Sequence, residues 1–339
     1  MVSIDSLNSA IGSASEIAVD HLGKIYIEDR KEAKIRVLSP NGHYLFSLGK
    51  RGRGPGEFES LYHIYIYGDT LYAIESYPGR LTKFRIDNRQ LIQTLNFPNI
   101  KVDKNPIGIP TVIYPLQDKN YEMIYRNTTR VPKPKITFSI NNHNLTPLDT
   151  DIRRFSADEL LVYRGPHGNI LGYFRKGLLP KTIAKFGPKG HLYEARSDSL
   201  NIRVFDRSGE KIQDITSNYS PPILNNHDLD SLAKEMKPHV KTIFYKAISQ
   251  NKNKLSGRWQ ALQNFLVDNR GRCWVQFLDP GKLKQTWWVF NKEGHPKWKF
   301  KLSRHVKLYV IRKSEAYGIW SKKGEYPRII RYHITGMQE

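Results

Sequence analysis

Short turns recur at a nearly constant distance along the chain, and this spacing constrains the fold more than any other feature. Paired turns lie 19 residues apart from Gly23 to Gly42, from Gly68 to Asp87 and from Gly190 to Gly209. A further pair, Gly271 and Gly294, is 23 residues apart. Between the turns, apolar and polar residues alternate as they do in half-buried β-strands. A chance collection of strands would not keep this spacing, so the sequence predicts a repeat protein.

The repeating unit is four short strands joined by three tight connections, which is one antiparallel sheet. Its first copy contains the runs EIAVD, KIYIED, KIRVL and YLFSL. Gly, Asn and Asp occupy the connections, as in hairpins. Six copies predict an all-β chain, a six-bladed β-propeller that forms a single domain over residues 1–339. The predicted blades cover about 14–49, 60–97, 107–146, 168–216, 259–302 and 305–335.

The sixth copy contains only three strands. We therefore expect residues 1–10, which include VSIDSL, to supply its missing strand and close the ring. Closure would remove exposed sheet edges that promote aggregation. The segment 149–179 is expected to add outer strands to the third and fourth blades, at 160–163 and 170–174. A parallel α/β fold is the structural alternative, but the intervening helices that it requires are absent.

A helical insertion is predicted at 225–250, between the fourth and fifth blades. Apolar residues recur there at helical spacing, at Leu232, Met236, Val240, Ile243 and Phe244. Asp228 or Asp230 would suit the N-cap, and Pro238 should kink or split the helix. The insertion is interpreted as a lid, a channel plug or a surface helix packed on a blade edge.

The loop between the first and second blades reads GKRGRGPGEF, and the hairpin before it carries GKIYI and RVLSPNG. These strings resemble NHL-type propeller repeats. More narrowly, the layout is similar to a bacterial, Bacteroidetes-like six-bladed β-propeller family of unassigned function, over 14–96 most clearly. The resemblance implies an exported or lipid-anchored protein. We therefore expect a periplasmic or surface-anchored location, with a leader outside this sequence, and keep the cytoplasm as the alternative.

The chain is strongly basic, with 54 Lys and Arg against 32 Asp and Glu and a net charge of +22. Such a charge favours anionic partners. In a propeller, the loops between blades share one face with the loops between second and third strands. The basic and aromatic residues predicted on that face are Arg30, Arg51, Arg53, Tyr77, Arg80, Arg126, Arg196 and Lys282. A solvated basic surface that only aids solubility is the alternative reading.

These observations favour a non-enzymatic binding or scaffold module with a basic face around the central channel. The expected ligand is anionic, such as an acidic glycan, a peptide or another polyanion, or a protein partner, and the chain is expected to be monomeric. Arginine suits this role because its planar fork binds carboxylate and phosphate in a bidentate way. Single-stranded RNA binding is an alternative, but no RNA-binding partner domain accompanies the propeller.

Enzymatic function has weaker support in the sequence. No HExxH motif, phosphate-binding loop or nucleophile elbow is present, and no catalytic residue is assigned. No cofactor is predicted. The alternative is a metal-assisted lyase or lactonase with a Ca or Zn ion in the channel, for which His63 and Glu194 are weak candidates. The single cysteine, Cys273, is expected to be a buried small hydrophobe. No stretch is apolar enough to be a transmembrane segment.

Overall fold

The computed structural model describes residues 2–7, 12–99, 101–102, 105–106, 108–116, 118–127, 135–156, 160–174, 178–234, 236–277 and 284–335. The chain divides into two compact units. The first unit comprises Met1–Arg126, Thr137–Arg153 and Arg304–Glu339, and the second comprises Asn127–Ile136 and Arg154–Ser303.

The first unit begins with β1 (Val2–Leu7) and contains four antiparallel sheets of four strands. The first sheet is β2 (Ile17–Val19), β3 (Ile25–Asp29), β4 (Lys34–Leu38) and β5 (Tyr44–Leu48). The second is β6 (Ser60–Tyr67), β7 (Thr70–Tyr77), β8 (Arg80–Arg85) and β9 (Leu91–Asn96). A short pair, β10 (Lys101–Val102) and β11 (Asn105–Pro106), precedes the third sheet, which is β12 (Ile109–Pro115), β13 (Tyr121–Asn127), β14 (Lys135–Asn141) and β15 (Pro147–Ser156).

The second unit holds a hairpin, two four-stranded sheets and two helices. The hairpin is β16 (Leu161–Arg164) and β17 (Ile170–Phe174). The first of its sheets, the fourth of the chain, is β18 (Thr182–Phe186), β19 (Leu192–Arg196), β20 (Asn201–Phe205) and β21 (Lys211–Thr216). The helices α1 (Asn226–Ala233) and α2 (Pro238–Gln250) follow. The fifth sheet is β22 (Leu262–Val267), β23 (Cys273–Phe277), β24 (Lys284–Phe290) and β25 (Pro296–Ser303).

The last sheet, in the first unit, joins the two ends of the chain. It contains β26 (Val306–Arg312), β27 (Glu315–Trp320), β28 (Arg328–Ile334) and β1, in the order β1-β28-β27-β26. Val2 lies opposite Ile334 and Leu7 opposite Ile329. The expected pairing of the first residues with the last sheet is therefore observed.

Apolar side chains of neighbouring sheets pack face to face within each unit. In the first unit, Tyr26, Ile35, Leu71 and Phe84 belong to one buried cluster. In the second unit, Cys273 is completely buried beside Val275 and Phe290, as expected for a small hydrophobe. Burial also raises the pKa of its thiol. A buried, protonated thiol is unreactive.

The segment 149–179 corrects one expectation from the sequence. The fourth strand of the third sheet is β15, and the hairpin β16–β17 forms a separate two-stranded sheet instead of extending a blade. The fourth sheet accordingly begins at Thr182 and not near residue 168. The hairpin packs on α2, where the rings of Phe174 and Phe244 lie 5.1 Å apart. The alternation of apolar residues predicted the two strands of the hairpin, but it does not show which element their apolar face packs against.

The helical insertion lies at the expected place and splits at Pro238, where α2 begins. Its N-cap differs from the prediction. Asn225, and not Asp228 or Asp230, caps α1, because its side chain accepts a hydrogen bond from the Asp228 backbone N–H. The Asp228 carboxylate accepts the Asn225 N–H in return, which completes a capping box. Asp228 is thus the third helical residue.

Six four-stranded antiparallel sheets in series, found within the described residues, are the blades of a six-bladed β-propeller. The predicted fold class is confirmed. Neither helix of the described chain is long and apolar enough to span a membrane.

Candidate functional site

A buried carboxylate, Glu28, is the starting point of the most unusual group of polar residues in the first unit. Glu28 lies on β3 and is completely buried. Both of its oxygens accept hydrogen bonds from Arg30, Oε1 from Nε at 2.8 Å and Oε2 from Nη2 at 3.3 Å. Burial raises the pKa of Glu28 to about 7, although the hydrogen bond and charge of Arg30 oppose this rise. Glu28 is therefore near its titration midpoint at neutral pH.

Arg30 and His63 extend this group from the first sheet to the second. The Arg30 guanidinium donates to the Tyr62 carbonyl at 2.7 Å and lies 5.4 Å from the centre of the Tyr62 ring. His63 Nδ1 lies 2.9 Å from the Glu16 carboxylate, which also accepts the Ile64 N–H. Glu16, just before β2, thus connects the first sheet to β6.

Lys307 on β26 brings a third sheet to the group. Its ammonium lies 4.5 Å from the centre of the Tyr309 ring. The side chain is solvent-exposed, yet the surrounding protein removes part of its hydration, and this desolvation lowers the pKa of Lys307. The charges of Glu16 and Glu28 act in the opposite direction. Tyr309 is fixed by its hydroxyl, which donates to the Ser15 carbonyl at 2.6 Å.

The contacts between sheets explain why these residues meet. The edge strand β2 contacts two other edge strands, β6 and β26. His63 and Lys307 lie on those two strands, and Glu16 immediately precedes β2. We call Glu16, Glu28, Arg30, His63 and Lys307 the polar cluster. A set of ionisable groups from separate sheets, in which the pKa values of Glu28 and Lys307 are shifted, is typical of functional sites.

The GKRGRGPGEF loop lies between Arg30 and His63 in the sequence and is held by internal hydrogen bonds. The Phe58 N–H donates to the Lys50 carbonyl at 2.8 Å, and the Gly54 N–H donates to the Glu57 carboxylate at 2.9 Å. Gly49 has a φ of +72°, and a side chain there would meet the Phe58 ring at 2.2 Å. Glu57 thus accepts a backbone N–H of the loop, and the completely buried Phe58 anchors the loop in the core.

Arg80 fixes this loop by hydrogen bonds to its backbone. It is 5% exposed, forms an ion pair of 2.7 Å with the buried Glu75, and donates to the carbonyls of Arg53 and Glu57. Its three nitrogens therefore all have acceptors within the protein. This corrects the expectation that Arg80 is presented to a ligand, because the sequence does not distinguish a buried arginine from an exposed one.

The other predicted binding residues are divided between the two units. Arg51 donates to the Lys31 carbonyl at 2.7 Å, and the exposed Arg53 pairs with Glu59 at 2.8 Å. Tyr77 is exposed at the end of β7, and Arg126 is half-buried near the end of β13. In the second unit, Arg196 lies 3.4 Å from Asp198. Lys282 lies outside the described residues.

The two weak metal candidates have protein partners. His63 belongs to the polar cluster, whereas Glu194, in the second unit, forms an ion pair of 2.6 Å with Arg203. Burial raises the pKa of Glu194, while Arg203 lowers it. Across the described residues, no three His, Cys, Asp or Glu side chains converge as metal ligands do.

Sequence reasoning missed Glu16, Glu28, Lys307 and Tyr309. One signal was available for Glu28, because two acids, Glu28 and Asp29, directly follow the apolar residues of the strand IYIED. Glu75 and Glu194 follow apolar residues of second strands in the same way, and each pairs with an arginine. Lys307 carried no such signal, because its setting depends on contact between distant strands.

The pKa of Glu28 predicts how stability changes with pH. In the unfolded chain this carboxyl loses its proton near its ordinary value of 4.5, whereas in the native protein it does so at about 7. Between these values the native state binds more protons, so this group's contribution to stability falls as pH rises. In urea unfolding, the stability of the wild type relative to Glu28→Gln should therefore fall as the pH rises from about 4.5 to about 7. Glu293→Gln, at an exposed position, is the control and should show no such change with pH. If the stability difference between the wild type and Glu28→Gln is constant over this range, the raised pKa of Glu28 is contradicted.

The comparisons with known proteins agree with the fold. Residues 8–162 match the model of the DUF5128 family, which is described as a 6-bladed beta-propeller. No curated protein matches the sequence. The resemblance to bacterial six-bladed propellers expected from the sequence is thus confirmed.

Solved structures of Bacteroides proteins have the same fold. A Bacteroides fragilis protein, named as a candidate for export, is 10% identical with a TM-score of 0.57, and the match covers 99% of this chain and 95% of that one. A duf4221 family member from Bacteroides vulgatus is 10% identical with a TM-score of 0.57, over 98% and 96% of the two chains. Virginiamycin B lyase from Staphylococcus aureus is 12% identical over 98% and 99%, with a TM-score of 0.49, from which we infer nothing about activity.

Proposed function

We propose that this propeller is a non-enzymatic binding module that takes an anionic group of its ligand at the polar cluster. The observation that carries the proposal is the state of Lys307. Its side chain is exposed, and its ammonium lies against the Tyr309 ring. Within the described residues, this ammonium forms no ion pair or hydrogen bond. A partly desolvated cation without an oxygen partner is stabilised by an incoming anion.

The charges around Lys307 support the same conclusion. Arg30 and Lys307 are positive at neutral pH, and His63 shares the carboxylate of Glu16. Glu28 is the only other acid of the polar cluster, and its raised pKa of about 7 reduces its negative charge at neutral pH. An approaching carboxylate or phosphate therefore meets an excess of positive charge.

The GKRGRGPGEF loop would supply a rim to this site. Lys50, Arg51 and Arg53 lie on its exposed side. Glu57 and Glu59 partly neutralise Lys50 and Arg53, at 3.2 Å and 2.8 Å. In this proposal Arg51 is the main cation of the rim, Tyr77 contributes an exposed aromatic ring, and Arg80 fixes the loop without contacting the ligand. The name of the Bacteroides fragilis neighbour supports an extracytoplasmic place of action.

Substituting Lys307 tests the proposal directly. Lys307→Gln is expected to weaken binding of a small anionic probe at least about 5-fold, because it removes the unpartnered cation. Inorganic phosphate and trigalacturonate, titrated calorimetrically, distinguish phosphate from carboxylate recognition. Lys252→Gln changes the net charge equally at an exposed position of the second unit and should leave affinity unchanged. Equal affinities of the two variants for both probes would refute the proposal.

A further inference from the structure

A row of lysines runs along the outer strand of the fifth sheet, in the second unit. The strand β25 reads PKWKFKLS, and Lys297, Lys299 and Lys301 are exposed, whereas Trp298 and Phe300 between them are half-buried. Alternate residues of a strand share one face at intervals of roughly 6.8 Å. Three positive charges therefore follow one another along a line.

A fourth lysine joins the row from the neighbouring strand. On β24, Lys284, Thr286 and Trp288 lie opposite Ser303, Lys301 and Lys299. Residues that lie opposite one another in an antiparallel pair have side chains on the same face. Lys284 is exposed and thus lies on the same face, diagonal to Lys301. We call Lys284, Lys297, Lys299 and Lys301 the lysine row.

The charges of the lysine row lie together on one face of the fifth sheet. Within the described residues, none of its four ammonium groups forms an ion pair, and Lys299 lies 5.2 Å from the centre of the Trp288 ring. Four like charges on one small face repel each other, and this repulsion is relieved when a polyanion binds. Lysine on an edge strand also discourages pairing with other chains. The experiment must therefore distinguish ligand binding from protection of the sheet edge.

We propose that the lysine row binds a linear acidic polysaccharide. A line of flexible point charges complements carboxylate or sulfate groups repeated along an extended chain. Proteins that bind single-stranded nucleic acid add exposed aromatic rings on which bases stack. In the described parts of β24 and β25 no large aromatic residue is exposed, and Trp288 lies half-buried beneath Lys299. The lysine row shares no residue with the polar cluster, and this proposal does not depend on the function proposed above.

The test compares two triple variants of equal charge. One removes Lys297, Lys299 and Lys301 as glutamines, and the control removes Lys234, Lys252 and Lys254, which are exposed in the same unit. The probe is a heparin octasaccharide, titrated over a range of salt concentrations. The row variant is expected to bind at least about 10-fold more weakly, and its salt-dependence slope should fall by about 2, because roughly 0.7 is lost for each missing contact. The control should bind like the wild type.

Two further measurements keep the result interpretable. Circular dichroism and thermal melting test whether both triple variants are folded. If the row variant is unfolded, Lys299→Gln alone replaces it and should weaken heparin binding about 2- to 3-fold. Equal heparin binding by both triple variants would overturn the proposal, even if the row variant aggregates, because edge protection would then explain the lysines. A larger loss for an octauridylate than for heparin would overturn the polysaccharide assignment. The row variant should bind inorganic phosphate like the wild type, because it leaves every residue of the polar cluster in place, and this separates the result from failure of the first proposal.

Discussion

Replacing Arg80 with methionine is expected to lower the free energy of unfolding by about 3–5 kcal/mol. The substitution leaves the buried Glu75 carboxylate without its counter-charge and the carbonyls of Arg53 and Glu57 without their donors. Removing one partner of a buried ion pair costs more than the pair contributes, because the remaining charge is not solvated. Urea unfolding at neutral pH measures the loss.

The exposed pair of Arg53 and Glu59 provides the matched control. Its nitrogen–oxygen distance is 2.8 Å, almost the same as in the Arg80 pair, but the Arg53 side chain is 79% exposed. Arg53→Met should therefore cause no measurable loss of stability, since exposed pairs are weak. If Arg80→Met and Arg53→Met unfold at the same urea concentration, the buried clamp assigned to Arg80 is incorrect.

Phe58→Ala is expected to cost about 3–5 kcal/mol, because it leaves a cavity where the loop meets the core. Phe58 is completely buried, and its ring contacts that of Phe84 edge-on at 6.3 Å between centres. The loop should also loosen, since the Phe58 N–H and carbonyl hold its two ends together. Chemical denaturation measures the first effect, and hydrogen exchange of the Gly52 N–H measures the second.

An exposed aromatic residue in the same unit controls for the change of side-chain type. Tyr44 is 56% exposed on β5, so Tyr44→Ala should change stability by less than about 0.5 kcal/mol. A loss for Phe58→Ala no larger than that for Tyr44→Ala would show that the loop is not anchored by this ring.

The turns made the fold predictable. Gly23, Gly42, Gly190 and Gly209 all have positive φ values, which glycine adopts without strain, so their regular spacing in the sequence reports real turns. Apolar alternation then identified the strands between them. The hairpin β16–β17 was placed wrongly because alternation shows that one face is covered and does not show by what; here α2 covers it.

The candidate site was predictable only in part. Arg30, Arg51 and Arg53 were named from charge and position, and the structure places Arg30 in the polar cluster. The different environments of Arg53 and Arg80 have no counterpart in the local sequence, because each directly follows a glycine. Lys307 and Glu16 are 291 positions apart in sequence, and their proximity follows from the contact between strands β2 and β26 and not from any motif.

The polar cluster and the lysine row offer an anion different surroundings. The cluster combines Arg30, His63 and Lys307 with two acids and with hydrogen bonds to the backbone of Tyr62 and Ile64, which suits one anionic group at a defined position. The four lysines of the row are exposed and, in the part of the chain that the structure describes, form no ion pair, which suits repeated charges on a long chain. We therefore expect a ligand with one terminal acid to prefer the polar cluster and a ligand with many acids to prefer the lysine row.

The central claim is that the polar cluster receives an anion, and anomalous scattering from crystals soaked in selenate tests it most directly. The account predicts a selenium peak within hydrogen-bond distance of Lys307 Nζ and close to Arg30, which disappears in Lys307→Gln crystals soaked in the same way. Selenate found only on other basic groups, with none beside Lys307 in the wild-type protein, would contradict the account.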